Sequence, residues 1–353
     1  MPMAVRCRGD IGGCGLASAA GPGVGNDLTG TGMNRWIQTL GAPATAQIRH
    51  WVLASFPRVH TGIDYDQPPG DPGLFGPDSV TWRIHADFPG MLSGGLCALM
   101  LQTLHPLALS GVWDHSNFRD DLIGRLRRTT DFVAGTTFAG HAPAEQLIGR
   151  VARIHRKIHG FGPDGRAYSA DDPDLLTWVH VTEAFGFLHG YRRYCRPVPV
   201  TIADRYYDES RRVAEMLGAR EVPSSEAEVA AYFGHVRSEL CFDARSREVL
   251  DVLERLRLTV PVPGASRELF LGAAAALLPE WALRMLGRTP LRRLRDRAAA
   301  GALRSAAPLF RAALPDGVAA RACRRVGMPM QHLRQWPTAG WSPAPLTDRR
   351  EHA

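Results

Sequence analysis

From Met91 to Leu104 the chain is almost wholly apolar, and only Ser93, Gly94, Gly95, Gln102 and Thr103 interrupt the run. The run is too short and too rich in glycine to cross a bilayer well. A segment that is apolar on every side reads instead as a fully buried central helix. Pro106 pushes His105 out of the helical region, so the helix is predicted to end there. Glycines 94 and 95 let something approach the backbone closely, either another helix or the face of a flat group.

A second helix carries histidine on its apolar face. Leu147, Ile148, Val151, Ile154 and Ile158 recur at amphipathic helical spacing. His155 falls one turn after Val151 and two turns after Ile148, so it is predicted to point inward. A buried neutral imidazole has one donor and one acceptor nitrogen, and each needs a partner. His155 is therefore either a core histidine bonded to a carbonyl or an axial ligand to haem iron. His159 completes an HxxxH pair, which offers two ligands to a bare, non-haem metal as the alternative. Arg156 stands where an HExxH hydrolase carries its glutamate, which argues against hydrolytic zinc.

The other elements are read in the same way. Trp36 to Phe56 reads as a helix, and Asp66 to Pro77 as a Pro/Gly loop. Asp78 or Ser79 caps a short helix containing Trp82 and His85. Asp120 or Asp121 opens a helix bearing Arg125, Arg127, Arg128, Thr129 and Phe132. Arg125 and Arg128 share a face at i, i+3, and a guanidinium there matches a carboxylate or polarises bound oxygen. Asp171 or Asp172 caps the helix that begins at Pro173. Leu176, His180 and Phe187 line one side of it. His180 is either a satisfied core histidine or one that touches a cofactor or orients His155. Further helices are expected at 202–217, 225–240, 246–256, 267–277 and 281–286. The expected fold is all-α, a single multi-helix domain around a buried pocket.

Residues 1–32 are rich in glycine and small residues, lack the apolar core of a secretory signal, and are expected to be disordered. The helical domain is expected over 33–336, with a loop-like tail at 337–353. At 353 residues, 45% hydrophobic and 22% charged, the chain has the composition of a globular protein. Its formal charge is +7, but of 42 basic residues only Lys157 is lysine. That bias reflects genome composition, and no basic cluster interleaves with aromatics, so nucleic acid is not expected as a partner. The six cysteines are scattered without CxxC spacing, which fits reduced, buried thiols and a cytoplasmic protein. No CxxCH motif is present, so covalent c-type haem is excluded. No P-loop, GxGxxG or GxSxG motif stands out.

Six stretches carry a resemblance. They are LFGPDSVTWRIHADFPGML (Leu74–Leu92), GGLCALMLQTLHPLALSGVWDHSNFRDD (Gly94–Asp121), RLRRTTDFV (Arg125–Val133), RIHRKIHG (Arg153–Gly160), DGRAYSADDPDLLTWVHVT (Asp164–Thr182) and YRRY (Tyr191–Tyr194). In order and rough spacing the chain resembles the MpaB-like and latex-clearing-protein-like oxygenases, over about residues 74 to 290. The resemblance implies a helical haem b protein that uses O2 on a lipophilic, isoprenoid-like molecule, by alkene cleavage or hydroxylation. It places His155 on the iron, with Arg125, Arg128 and Thr129 on the distal side. Gly94, Gly95, His180 and His105 are then candidates for the cofactor's surroundings, and Leu96, Met100 and Phe132 for the substrate wall. Latex-clearing proteins carry lysine where Arg128 stands, and arginine cannot lose its proton to ligate iron. Rubber itself is therefore not the expected substrate. The rival expectation is a non-catalytic helical carrier of haem or lipid with the same lining. Neither expectation requires a stable membrane span.

Overall fold

The apolar run does form the central helix. In a computed structural model that describes residues 42–55, 62–255 and 263–338, it spans Phe88–Gln102, and helices enclose it. The expectations for 1–32, for most of 337–353 and for Cys7 and Cys14 fall outside the described residues. In chain order the helices before the hairpin are α1 (Ala42–Ser55), α2 (Val80–His85), α3 (Phe88–Gln102), α4 (Pro106–His115), α5 (Leu122–Phe138) and α6 (His141–His155). A hairpin of β1 (His159–Phe161) and β2 (Ala167–Ser169) follows. Then come α7 (Pro173–Tyr194), α8 (Val200–Leu217), α9 (Glu226–Val236), α10 (Ala244–Glu254), α11 (Pro263–Ala275), α12 (Glu280–Met285), α13 (Pro290–Ala313) and α14 (Val318–Arg325). The all-α expectation holds, with the short hairpin as its one β element among the described residues.

Capping side chains set the helix starts, because the first N–H groups of a helix have no partner within it. Ser79 Oγ accepts from Trp82 N at 3.1 Å and so opens α2. Asp121 Oδ1 accepts from Gly124 N at 2.8 Å and opens α5. Asp172 Oδ1 accepts from Asp174 N at 2.8 Å, with Pro173 at the first position of α7. The chain breaks at the His-Pro corner as expected, and the helices on either side are bent by 103°. α3 stops at Gln102, and His105 then serves as the N-cap of α4, which starts at Pro106.

Glycine lets α3 lie directly against α7. Gly90 and Gly94 on α3 meet Gly190 and Gly186 on α7, each pair one turn apart on its own helix. A Cβ on Gly94 would collide with the backbone of Gly186, and a Cβ on Gly190 with that of Gly90. The two backbones are therefore in van der Waals contact, as small residues at i, i+4 permit. On the far side of α3 lie α11 and α13. Phe270 and Phe310 close on Trp51, with ring centroids 5.8 Å from the indole in each case. Trp82 and Trp178 are completely buried, and burial of side chains of this size is the main stabilising term, at about 25 cal/mol per Å² of apolar area.

The hairpin turns at Gly165, whose φ of +79° suits glycine. It is held to α4 by Tyr168, whose hydroxyl donates to Asp114 Oδ2 at 2.7 Å. Cys97 and Cys323 are buried thiols, whereas Cys195 and Cys241 are free but exposed, contrary to expectation. Among the described residues no single helix is long and apolar enough to cross a membrane. The pair Phe88–Gln102 and Pro106–His115 passes by composition only, and it is bent by 103°.

Candidate active site

Although α3 is a core helix, one stripe of it keeps accessible surface. Phe88, Met91, Leu92, Gly95, Leu99 and Gln102 are partly exposed, while every other residue of the helix is buried. Their spacing of three or four puts them on one face. On the facing helix α7, His180 and Glu183 are likewise partly accessible, and they share a stripe with Phe187. The two stripes meet. A Cβ on Gly95 would sit 3.5 Å from Phe187 Cε1. Gln102 Nε2 donates to Thr182 Oγ1 at 3.1 Å and also lies within hydrogen-bonding reach of Glu183.

The ionisable groups along these stripes are withdrawn from bulk water. Burial, countered only by the Gln102 amide, pushes the Glu183 carboxyl up to about 7. Burial pulls His180 down to about 4. His85, on α2, is drawn down to about 3, by burial first and by His180 second. The two imidazoles are therefore uncharged near neutral pH and Glu183 is about half protonated there, as expected for groups withdrawn from bulk water. These side chains lie on α2, α3 and α7, and Tyr206 of α8 joins them through His85.

The imidazoles differ in what they can still bind. His85 hydrogen-bonds through Nδ1 to Thr137 Oγ1 at 2.8 Å and through Nε2 to Tyr206 OH at 3.0 Å, so both of its nitrogens are used. His180 makes no hydrogen bond to any described residue. His155 ends α6 half-buried, and its Nδ1 is buried without a partner. Burial lowers the pKa of His155, and the nearby Asp171 carboxylate opposes that. Asp171 in turn accepts from Ser169 Oγ. An imidazole with an orphaned nitrogen and a carboxylate beside it has the donor chemistry of a metal-bound histidine with its orienting acid.

Several expected site residues lie elsewhere. Gly94 belongs to the helix seam, so a helix backbone rather than a cofactor covers it. Gly95, its neighbour, lies on the partly exposed stripe beside Phe187. Leu96 and Met100 are buried in the main core, and the large apolar residues in this part of the helix that keep accessible surface are Met91, Leu92 and Leu99. Phe132 packs in a second cluster with Leu74 and Trp82. His105 is taken up by capping, accepting weakly from Ala108 N at 3.5 Å, and its Nε2 lies 3.8 Å from Glu239. The HxxxH alternative fails because α6 ends at His155, so His159 sits exposed on β1 rather than one helical turn on. Among the described residues no group of three metal-ligating side chains forms. Ile154, expected inward, is 50% exposed.

The arginine pattern also divides. Arg128 is exposed and lies 3.7 Å from Asp121, the cap of α5. Thr129 is exposed and donates back to Arg125 O at 3.3 Å. Like Arg127, Arg125 is half-buried. Burial, and the like charge of Arg128 after it, lower its pKa, and it has no carboxylate partner among the described residues. A desolvated guanidinium without a counter-ion is costly unless an anion joins it.

Glu183 and His85 are the residues that sequence reasoning missed. Glu183 is the only charged side chain between Asp174 and Arg192 in a helix that is otherwise largely apolar. That isolation was the available signal.

Residues 82–312 match the family model described as the catalytic domain of the ER-bound oxygenase mpaB/B′ and rubber oxygenase. No curated protein and no solved structure gives a match. The matched span runs from α2 into α13 and includes His85, both facing stripes, Arg125 and His155. With more than half of its 353 residues matched, the chain belongs to this family of oxygenase catalytic domains and is an oxidoreductase.

Proposed function

We propose that the chain is a haem b-dependent oxygenase acting on a lipophilic molecule of isoprenoid or terpenoid type. The observation that carries the haem assignment is the orphaned Nδ1 of His155 beside Asp171, in a chain of an oxygenase family. His155 would hold the iron, with Asp171 fixing the orientation of its ring. Arg125 would take a haem propionate, which supplies the anion that the buried guanidinium lacks. When bound, haem supplies activation of O2.

The chain's own residues then do the remaining work. The stripe of Met91, Leu92, Gly95 and Leu99, faced by Phe187, binds an apolar chain by excluding water from it. Glu183, protonated or ionised with near-equal ease around neutrality, holds or releases a proton at its carboxyl oxygen. Gln102 positions that carboxyl. His180 stays neutral beside it and can accept or donate a hydrogen bond. Arg128 and Thr129 sit a turn along α5 from Arg125, where this reading gives them the mouth of the site. The apolar wall favours a substrate without charge, and the acid–base group fits either alkene cleavage or hydroxylation.

Oxygen uptake by haem-loaded protein tests this reading. With an unsaturated terpenoid, uptake should require both haem and substrate, and Glu183→Gln should slow turnover on the order of a hundredfold. Haem binding without substrate-dependent uptake would point instead to the carrier function. Uptake without haem would overturn the cofactor assignment.

A further inference from the structure

From Arg150 to Pro163 the chain has no acidic residue, yet it carries Arg150, Arg153, Arg156 and Lys157. All four are exposed. None pairs with a carboxylate among the described residues. Together with Ile154 the four cations line a shallow pocket of about 430 Å³. Arg150, Arg153 and Ile154 occupy one stripe of α6 at i, i+3, i+4. Arg156 and Lys157 follow in the turn after the helix.

Ile154 stands among these charges, and Phe161 follows them along the chain. Ile154 is 50% exposed, and Phe161, four residues beyond Lys157 on β1, is 72% exposed. They are two of the six exposed large hydrophobic residues described. Unpartnered cations call for an anionic surface, and exposed isoleucine and phenylalanine call for an apolar one. Free phosphate, or the backbone of a nucleic acid, would satisfy the cations and leave Ile154 in water. The boundary between lipid headgroups and acyl chains satisfies both.

We propose that the end of α6 and the β1 strand form a docking surface for an anionic lipid membrane. Arg150, Arg153, Arg156 and Lys157 face the headgroups, and Ile154 and Phe161 enter the acyl boundary. Attachment is peripheral and reversible, since it uses one short patch. It brings the enzyme to the phase in which a lipophilic substrate is dissolved. The inference stands on the patch alone and does not require haem at His155.

Co-sedimentation of the full chain with vesicles tests it. Vesicles of phosphatidylglycerol and phosphatidylcholine should bind the protein, vesicles of phosphatidylcholine alone should bind it much less, and added salt should release it. Each cation removed should weaken partitioning about fivefold. Arg153→Gln with Arg156→Gln should therefore cost about twenty-five-fold, and Phe161→Ser should weaken binding in the same direction. These residues are exposed, so the variants should keep the helical circular dichroism and the haem content of the parent, which separates this test from that of the cofactor. Equal binding to both kinds of vesicle, no binding to the anionic ones, or binding unchanged by the substitutions would overturn the proposal. So would duplex DNA outcompeting the anionic vesicles for the same residues.

Discussion

Glu183 shows how strongly a single residue can be shaped by its surroundings. Its carboxyl has an ordinary pKa of 4.5 and titrates near 7 in the fold. Between those values the folded protein holds a proton that the unfolded chain has released, so this group lowers stability as pH rises through the window. The full penalty above pH 7 is at most about 3 kcal/mol. Glu183→Gln keeps the size and the reach to Gln102 but cannot ionise. The variant should be more stable than the parent at about pH 8 and should match it at about pH 4, as measured by urea unfolding. A parent that is the more stable of the two at the higher pH would mean that Glu183 is ionised and well paired. His85 and His180 act with the opposite sign. Their depressed values mean that stability is lost as pH falls below the ordinary value of 6.5. Sequence periodicity found the stripe of His180 and Phe187 because the helical repeat is local. It did not find that Glu183 is desolvated, because the helices that desolvate it come from elsewhere in the chain.

At the scale of elements, sequence spoke most clearly where one side chain decides the outcome. Ser79, Asp121 and Asp172 cap where their chemistry requires, and Pro173 starts α7. α13 escaped notice: it is arginine-rich, and Pro308 interrupts its pattern from inside the helix. The hairpin escaped too, since three-residue strands carry too little alternation to read. The paired glycines 94 and 95 left two possibilities open, and the fold assigns one to each. Gly94 touches the backbone of Gly186, while Gly95 has ordinary contact with the Phe187 ring. Gly94→Ala should therefore force α3 and α7 apart and cost about 2–3 kcal/mol. Gly95→Ala should fall within about 1 kcal/mol of the parent, because alanine also favours the helix. Thermal unfolding of the two variants checks this. Equal losses would mean that the seam does not discriminate between them.

At the scale of the whole molecule, the candidate site draws on helices that adjoin only after folding. α2, α3, α7 and α8 meet there through contacts such as His85 with Tyr206, 121 positions apart. A sequence motif marks the residues but not their convergence, which is why Leu96 and Met100 were expected on a face where Leu99 and Gly95 keep the accessible surface. The arginine motif on α5 behaved in the same way: its spacing placed Arg125 and Arg128 on one face, yet burial separates them. The account as a whole depends on whether this oxygenase takes haem through His155. Purified full chain supplied with haemin should show a Soret band at one haem per protein, His155→Ala should lose it, and His180→Ala should retain it. No Soret band in the parent, or a band that persists in His155→Ala and vanishes in His180→Ala, would contradict the account.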